Sequence, residues 1–418
     1  MQKCFNATVL AVLLVVTQSL RGNPPGVSGA QEDSNLKAQY DACVVEYDKA
    51  RKEFAKPPAG ALSRMENGHL VIEEPGPPRP DPGQVFAPRF FKLAREHPTS
   101  PVAIEALSWV VTHNLFNKEA AEAMGEIAQR HAGDPRIAAV LRDLNGLYGE
   151  RFEPLESMFR AVLKESPDRQ TRGMACFGLA RQLKFRRQMA EEQLRRYEMY
   201  RKSPDTGPYA VKPDVNEELL AKADAEAAEL FKRVVDEYSD ITRQPAGGAL
   251  GSAAKSELAA MQYLAIGKPA PDIEGEDLLG RVMKLSDFRG KVIVLNFGSH
   301  QYCAICRANY PHYRDLIKEH AGEPFAMLGV QSGDDIQKTK AAITQGAITW
   351  RSWWDGGYGP LAVRYNIGGW PTYYILDRQG IIRHKGSMSA EELDDAVGRL
   401  LKERQVEPPP SGTGGSPR

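Results

Sequence analysis

Cys303 and Cys306 stand two residues apart where the apolar run 292–295 gives way to a helix-like pattern containing Pro311. Two thiols at this spacing, at the end of a strand and the start of a helix, are the minimum apparatus for dithiol–disulfide exchange. One helical turn lets the sulfurs close a small ring without moving the backbone. The free N–H groups and partial positive charge of a helix N-terminus fall on the first sulfur and favour its thiolate, the reactive form.

The elements that must hold this pair can be read on either side of it. Residues 267–272 begin an extended segment, 279–281 fit a turn, and 284–290 fit a strand end followed by a capped helical turn. The apolar run 291–297 predicts a buried strand, and 306–319 a helix. Strands are expected at 325–330, 349–354, 372–376 and 381–385, with helices at 334–345 and 390–402 and a helical turn at 361–365. Asp377-Arg378-Gln379-Gly380 is a hairpin-type turn. Alternating strands and helices that end in a hairpin and a helix imply an α/β domain: a mixed central sheet with helices on both faces.

The rest of the chain is helical in pattern. At 418 residues it exceeds one compact core, so several domains are expected. Lys+Arg and Asp+Glu both number 54, and this balance gives no field that would draw nucleic acid. Lys3 precedes the apolar run 7–16, with small residues at 28–30, which reads as a signal peptide over residues 1–30. The run is about half of what a bilayer span requires, so export is expected, with an uncleaved membrane tether as the variant. Residues 31–85 read as a helix (35–56) and then a Pro/Gly-rich linker with no regular structure. From 86 to 265 a helix, a Pro-marked turn and a helix recur: 91–97, 125–131 and 159–165 begin copies 34 residues apart, and 231–238 a weaker fourth. That period is tetratricopeptide-like, suited to holding a peptide or protein, although an irregular helical spacer fits as well. Residues 266–404 form the thiol domain, and 405–418 read as a disordered tail. Of five cysteines, Cys4 lies in the signal segment; Cys43 and Cys176 sit in helical patterns as small apolar residues, and a bridge between them is left open.

Residues 266–404 resemble the thioredoxin fold and, within it, the TlpA/ResA-like thiol–disulfide oxidoreductases of the redoxin, or AhpC/TSA, superfamily. The resemblance rests on Gly267-Lys268-Pro269-Ala270-Pro271, residues 285–291, Asn296-Phe297, the Cys pair, Pro311 and Gly369-Trp370-Pro371-Thr372. It implies that Cys303 is the exposed nucleophile and Cys306 the buried thiol that resolves a mixed disulfide. It further implies a cis Pro371 facing the pair, with Trp370 and Thr372 beside it where a substrate chain pairs like a strand. Protein thiols and disulfides would be the substrates, a second redox partner would recycle the pair, and no cofactor or metal is called for.

Several residues depart from that pattern. Tyr302 stands where Trp is usual, Ala304-Ile305 where Gly-Pro is frequent, and one extra residue lies between Phe297 and Cys303. Such changes tune reduction potential. Asn296 replaces the buried acid of cytoplasmic thioredoxins. His300 is either a cation that stabilises the Cys303 thiolate or a solvated loop residue. Two other functions are weighed against exchange. A peroxidase of the peroxiredoxin kind needs Thr three and Pro seven residues before its cysteine, where His300 and Asn296 stand. A non-catalytic helical scaffold would carry a degenerate redox domain.

Overall fold

A computed structural model describes residues 29–56, 62–66, 69–73, 79–114, 117–144, 152–201, 210–242, 248–333, 335–357 and 359–403. Almost all of the expected signal segment, the tail from 405, parts of the expected linker and most of the 203–213 and 244–248 turns lie outside them. The chain divides into two compact units. One takes residues up to 60 and 74–175, the other 61–73 and 176 onward.

The first unit is built of helices whose starts follow local chemistry. After α1 (Gly29–Phe54), α2 (Pro82–Glu96) begins where the Asp81 carboxylate accepts from the N–H groups of Gly83 and Gln84, with proline in the first turn. Ser100 and Pro101 start α3 (Pro101–His113) in the same way. Then come α4 (Lys118–Glu126), a π-helical turn at Ile127–His131, α5 (Ile137–Leu144) and α6 (Phe152–Glu165). Apolar residues at helical spacing meet between neighbours. Phe90 of α2 stacks on Trp109 of α3 with centroids 3.9 Å apart, and Tyr47 of α1 meets the Trp109 ring edge-on at 4.8 Å.

The segment expected to be an unstructured linker contains regular structure. Strands β1 (Leu62–Glu66) and β2 (His69–Glu73) pair antiparallel, with Leu62 opposite Glu73 and Glu66 opposite His69. Two β-competent runs flank the Asn67-Gly68 dipeptide, a hairpin signature that outweighs the surrounding prolines. Helix α2 likewise begins at Pro82, inside that segment, because proline is tolerated in a helix's first turn.

Helix α7 (Arg169–Tyr200) begins in the first unit and enters the second at Cys176; the second unit continues through α8 (Glu217–Glu237) and α9 (Leu250–Tyr263) into the thiol region. There follow β3 (Glu274–Glu276), β4 (Val282–Lys284), β5 (Val292–Gly298), α10 (Ala304–Glu319), β6 (Phe325–Gln331), α11 (Ile336–Thr344) and β7 (Arg351–Trp354). The chain ends in α12 (Pro360–Arg364), β8 (Thr372–Leu376), β9 (Ile382–Gly386) and α13 (Ala390–Lys402). Five strands form one sheet in the order β7-β6-β5-β8-β9, with β5, β6 and β7 parallel and β8 and β9 antiparallel.

Central β5 is buried along its whole length, Asn296 included, as a strand covered on both faces requires. On one face Val292 and Val294 pack with Tyr310, Tyr313 and Leu316 of α10 and Leu393, Val397 and Leu400 of α13. On the other, Ile293, Leu295 and Phe297 pack with Ala260 and Leu264 at the end of α9 and with Ala362 and Tyr365 around α12. Helices therefore cover both faces. Ala260 and Leu264 at the end of α9 belong to this core, and residues from 176 onward lie in the same compact unit.

Candidate functional site

The end of β5 delivers the chain to the cysteines. Cys303 is the N-cap of α10, and its Sγ accepts the backbone N–H of Cys306 at 3.0 Å. The two are joined as a disulfide with Cα atoms 5.2 Å apart, which a single helical turn supplies. Cys303 keeps 7% of its surface exposed and Cys306 none. The pair is thus asymmetric, though Cys303 is more enclosed than the word exposed implies. An N–H aimed at a sulfur at the head of a 16-residue helix stabilises negative charge there.

The loop that carries the extra residue is fastened on both sides. Tyr302 N–H donates to Ser299 Oγ at 3.0 Å. The Arg307 guanidinium, one turn into α10, donates to the carbonyls of His300 and Gln301, each at 2.8 Å. The Gln301 side chain in turn accepts the N–H of Asp335, the N-cap of α11. Arg307, four residues past Cys303, carries no recognisable sequence signal for this work. Tyr302 and Ile305 expose 72% and 54% of their surface beside the pair, so the rim is apolar. His300 stacks on Tyr310, rings nearly parallel and centroids 5.9 Å apart.

Strand β8 brings the second sequence landmark to the same end of the sheet. Its first residue, Thr372, pairs with Phe297, next to the end of β5. The Trp370–Pro371 peptide preceding it is cis. Trp370 is half-buried and packs against the apolar clusters of both sheet faces, while Thr372 Oγ1 donates to the Gly369 carbonyl at 2.8 Å. Cys303, Cys306, Trp370, Pro371 and Thr372 are gathered at the C-terminal end of β5 by strand pairing alone.

Beneath the pair, the α10 face of the sheet is more polar than its strands suggest. Tyr373, opposite Asn296, holds Asn309 of α10 through its hydroxyl at 3.3 Å and also hydrogen-bonds the Tyr313 hydroxyl. Asn296 and Gln331 are fully buried. Gln331 ends an otherwise apolar strand, and that break in pattern is the one sequence sign of its position.

The chain is similar in sequence to known proteins. A model of the AhpC/TSA family matches residues 266–385. The thioredoxin-like protein YneN of Bacillus subtilis (strain 168) is 30% identical over 135 residues, 31% of this chain and 78% of the relative. The thiol-disulfide oxidoreductase ResA of Geobacillus kaustophilus (strain HTA426) is 28% identical over 133 residues, 31% of this chain and 75% of the relative. Among solved structures, a thiol-disulfide oxidoreductase from Bacteroides fragilis NCTC 9343 is similar at 26% identity over 32% of this chain and 99% of that one, with a TM-score of 0.30. The chain belongs to the AhpC/TSA family and is a thioredoxin-like thiol–disulfide oxidoreductase.

Proposed function

We propose that this oxidoreductase exchanges disulfides with protein partners outside the cytoplasm, through Cys303 as nucleophile and Cys306 as resolving thiol. The observation that carries this reading is the Cys306 N–H donated to Cys303 Sγ at the head of α10, with Cys306 wholly buried behind it. In the reduced pair the same N–H would favour the thiolate at the one sulfur a partner can reach. The apolar rim of Tyr302 and Ile305, together with Trp370, suits a protein chain, which in this reading pairs with the backbone beside Pro371 and Thr372. A second thiol or disulfide protein would recycle the pair. Export is supported by Lys3 and the apolar run 7–16. Among the described residues no helix is long and apolar enough to cross a membrane. We assign residues 266–404 to exchange and 86–265, by their tetratricopeptide-like period, to holding a peptide or protein partner.

The test is trapping. Cys306→Ser should accumulate a mixed disulfide with a reducible protein substrate, and Cys303→Ser should form none. Peroxide consumption that survives Cys306→Ser and is lost in Cys303→Ser, with no exchange by the intact chain, would replace this reading with a peroxidase.

A further inference from the structure

Two amides lie buried under the cysteine pair without protein partners. Asn296 and Gln331 are both fully buried, and neither side chain has a hydrogen bond through its oxygen or its nitrogen. Side chains alternate along a strand, so Asn296 follows Val292 and Val294, and Gln331 follows Phe325 and Met327, onto the face that Cys306 and α10 cover. The parallel register sets Asn296 beside Gly329 and Gly298 beside Gln331. Amides and glycines thus alternate on adjacent strands, and each glycine lets neighbouring polar or sulfur atoms close on the strand backbone. A Cβ on Gly298 would stand 3.4 Å from Cys306 Sγ and 3.5 Å from Asn296 Nδ2. A Cβ on Gly329 would lie 2.5 Å from Ser352 Oγ and 2.9 Å from Trp350 Nε1, a third buried donor without a partner.

Leaving a buried polar atom unpaired costs roughly 1–3 kcal/mol, and Asn296 Nδ2 meets Cys306 Sγ over Gly298, the residue that pairs with Gln331. Such a site has the polar partners that an internal water needs. We propose that the Asn296 and Gln331 amides hold internal water against Cys306 Sγ, and that this water carries the Cys306 proton in place of an ionisable side chain. The proposal rests on the exchange reading above. Cys303 thiolate attacks a partner disulfide, forming a Cys303–partner bond and releasing one partner thiolate. Cys306 S–H then loses its proton to the water, and its sulfur attacks Cys303 Sγ. The bond to the partner breaks, the second partner thiolate leaves and takes up a proton, and two electrons have passed from the pair to the partner. Amides do not titrate, so a single ionisation, that of Cys306 itself, should govern the resolving step. Asn296 and Gln331 are positioning residues here.

The experiment follows Cys306 in the full chain. Its alkylation is measured from pH 5 to 10 in a Cys303→Ser background, beside single-turnover reduction of a protein disulfide by the otherwise unchanged chain. A one-ionisation profile is expected. Gln331→Leu should slow Cys306 by on the order of tenfold, Gln331→Asn should restore part of the rate, and Gln331→Glu should add a second, coupled ionisation. Because Glu differs from Gln by one atom, it carries the test if the leucine variant does not fold. A Cys306 profile unchanged in Gln331→Glu, or two coupled ionisations in the unsubstituted chain, would overturn the water path while leaving exchange intact. Exchange that persists in Cys303→Ser would instead remove the reading beneath it.

Discussion

The indole of Trp370 lies against the backbone of Gly333: a Cβ at 333 would stand 2.9 Å from Trp370 Cη2. Gly333 also has a φ of +78°, where a side chain is strained. Gly346 has nearly the same φ, +74°, and open space where its Cβ would be. Alanine at either position should cost about 1 kcal/mol for the backbone. Only Gly333→Ala should also push the Trp370 ring and lower the rate of protein-disulfide reduction several-fold. Comparing melting temperature and exchange rate in the two variants checks this, and equal rates would show that Trp370 has no part in exchange.

How much of this was legible in the sequence depends on how far apart the cooperating residues lie. The Cys pair and the buried β5 run are local, and their chemistry is complete within a few residues. The β1–β2 hairpin was local too, but its Asn67-Gly68 signal was hidden among prolines that argue for a linker. The alternation of Asn296, Gly329, Gly298 and Gln331 was not legible, because it exists only once two strands adopt one register. A slip of one residue would turn Gln331 to the opposite face. Gly333 against Trp370 has the same character: two loops meet only after the sheet has formed.

Asp277 fixes the turn that joins β3 and β4. Its carboxylate accepts the N–H groups of Leu279 and Arg281 and the guanidinium N–H groups of Arg281 and Arg351, at 2.8 to 3.0 Å. Burial alone would raise its pKa, but the Arg281 N–H, the two guanidinium groups and the Leu279 N–H hold it down at about 2. A folded value below the ordinary 3.8 means stability that is full above pH 4 and lost as pH falls toward 2. That contribution is about 2 kcal/mol. Asp277→Asn should lower stability by a similar amount at pH 7 and flatten its decline between pH 4 and 2, read by urea unfolding at several pH values.

His384 of β9 gives the opposite kind of group with the same direction of acid response. Burial lowers its pKa to about 4, and the positive charge of Arg195 on α7 adds to this. Glu392 on α13 and Glu192 on α7 oppose it, and Arg399 on α13 reinforces it. The folded state therefore favours the neutral imidazole. Stability is full above the unfolded value of 6.5 and is lost as pH falls from 6.5 toward 4. The melting temperature should drop by several degrees over that window, and His384→Leu should drop less. Equal slopes in the two proteins would mean that His384 does not control the response.

Cys176 should be the silent thiol of the chain. It is free and fully buried, it approaches the Leu230 carbonyl at 3.5 Å, and burial pushes its pKa up to about 12. At pH 8 the thiolate population is then on the order of one part in ten thousand. Native protein should leave Cys176 unmodified by iodoacetamide over hours, while the reduced Cys303 reacts within minutes; unfolding in urea should equalise them. The raised value also works against the fold in alkali. The folded state keeps the Cys176 proton that the unfolded chain gives up near pH 9, so this contribution is complete below pH 9 and is lost as pH rises toward 12. Tyr365 and Tyr374, whose pKa values burial likewise raises, act in the same direction above pH 10. Cys176→Ala should reduce the alkaline decline of stability between pH 9 and 11, measured by urea unfolding. Rapid native alkylation of Cys176 at pH 8 would show that the α7 segment opens on that timescale, and the burial assigned to this thiol would have to be withdrawn.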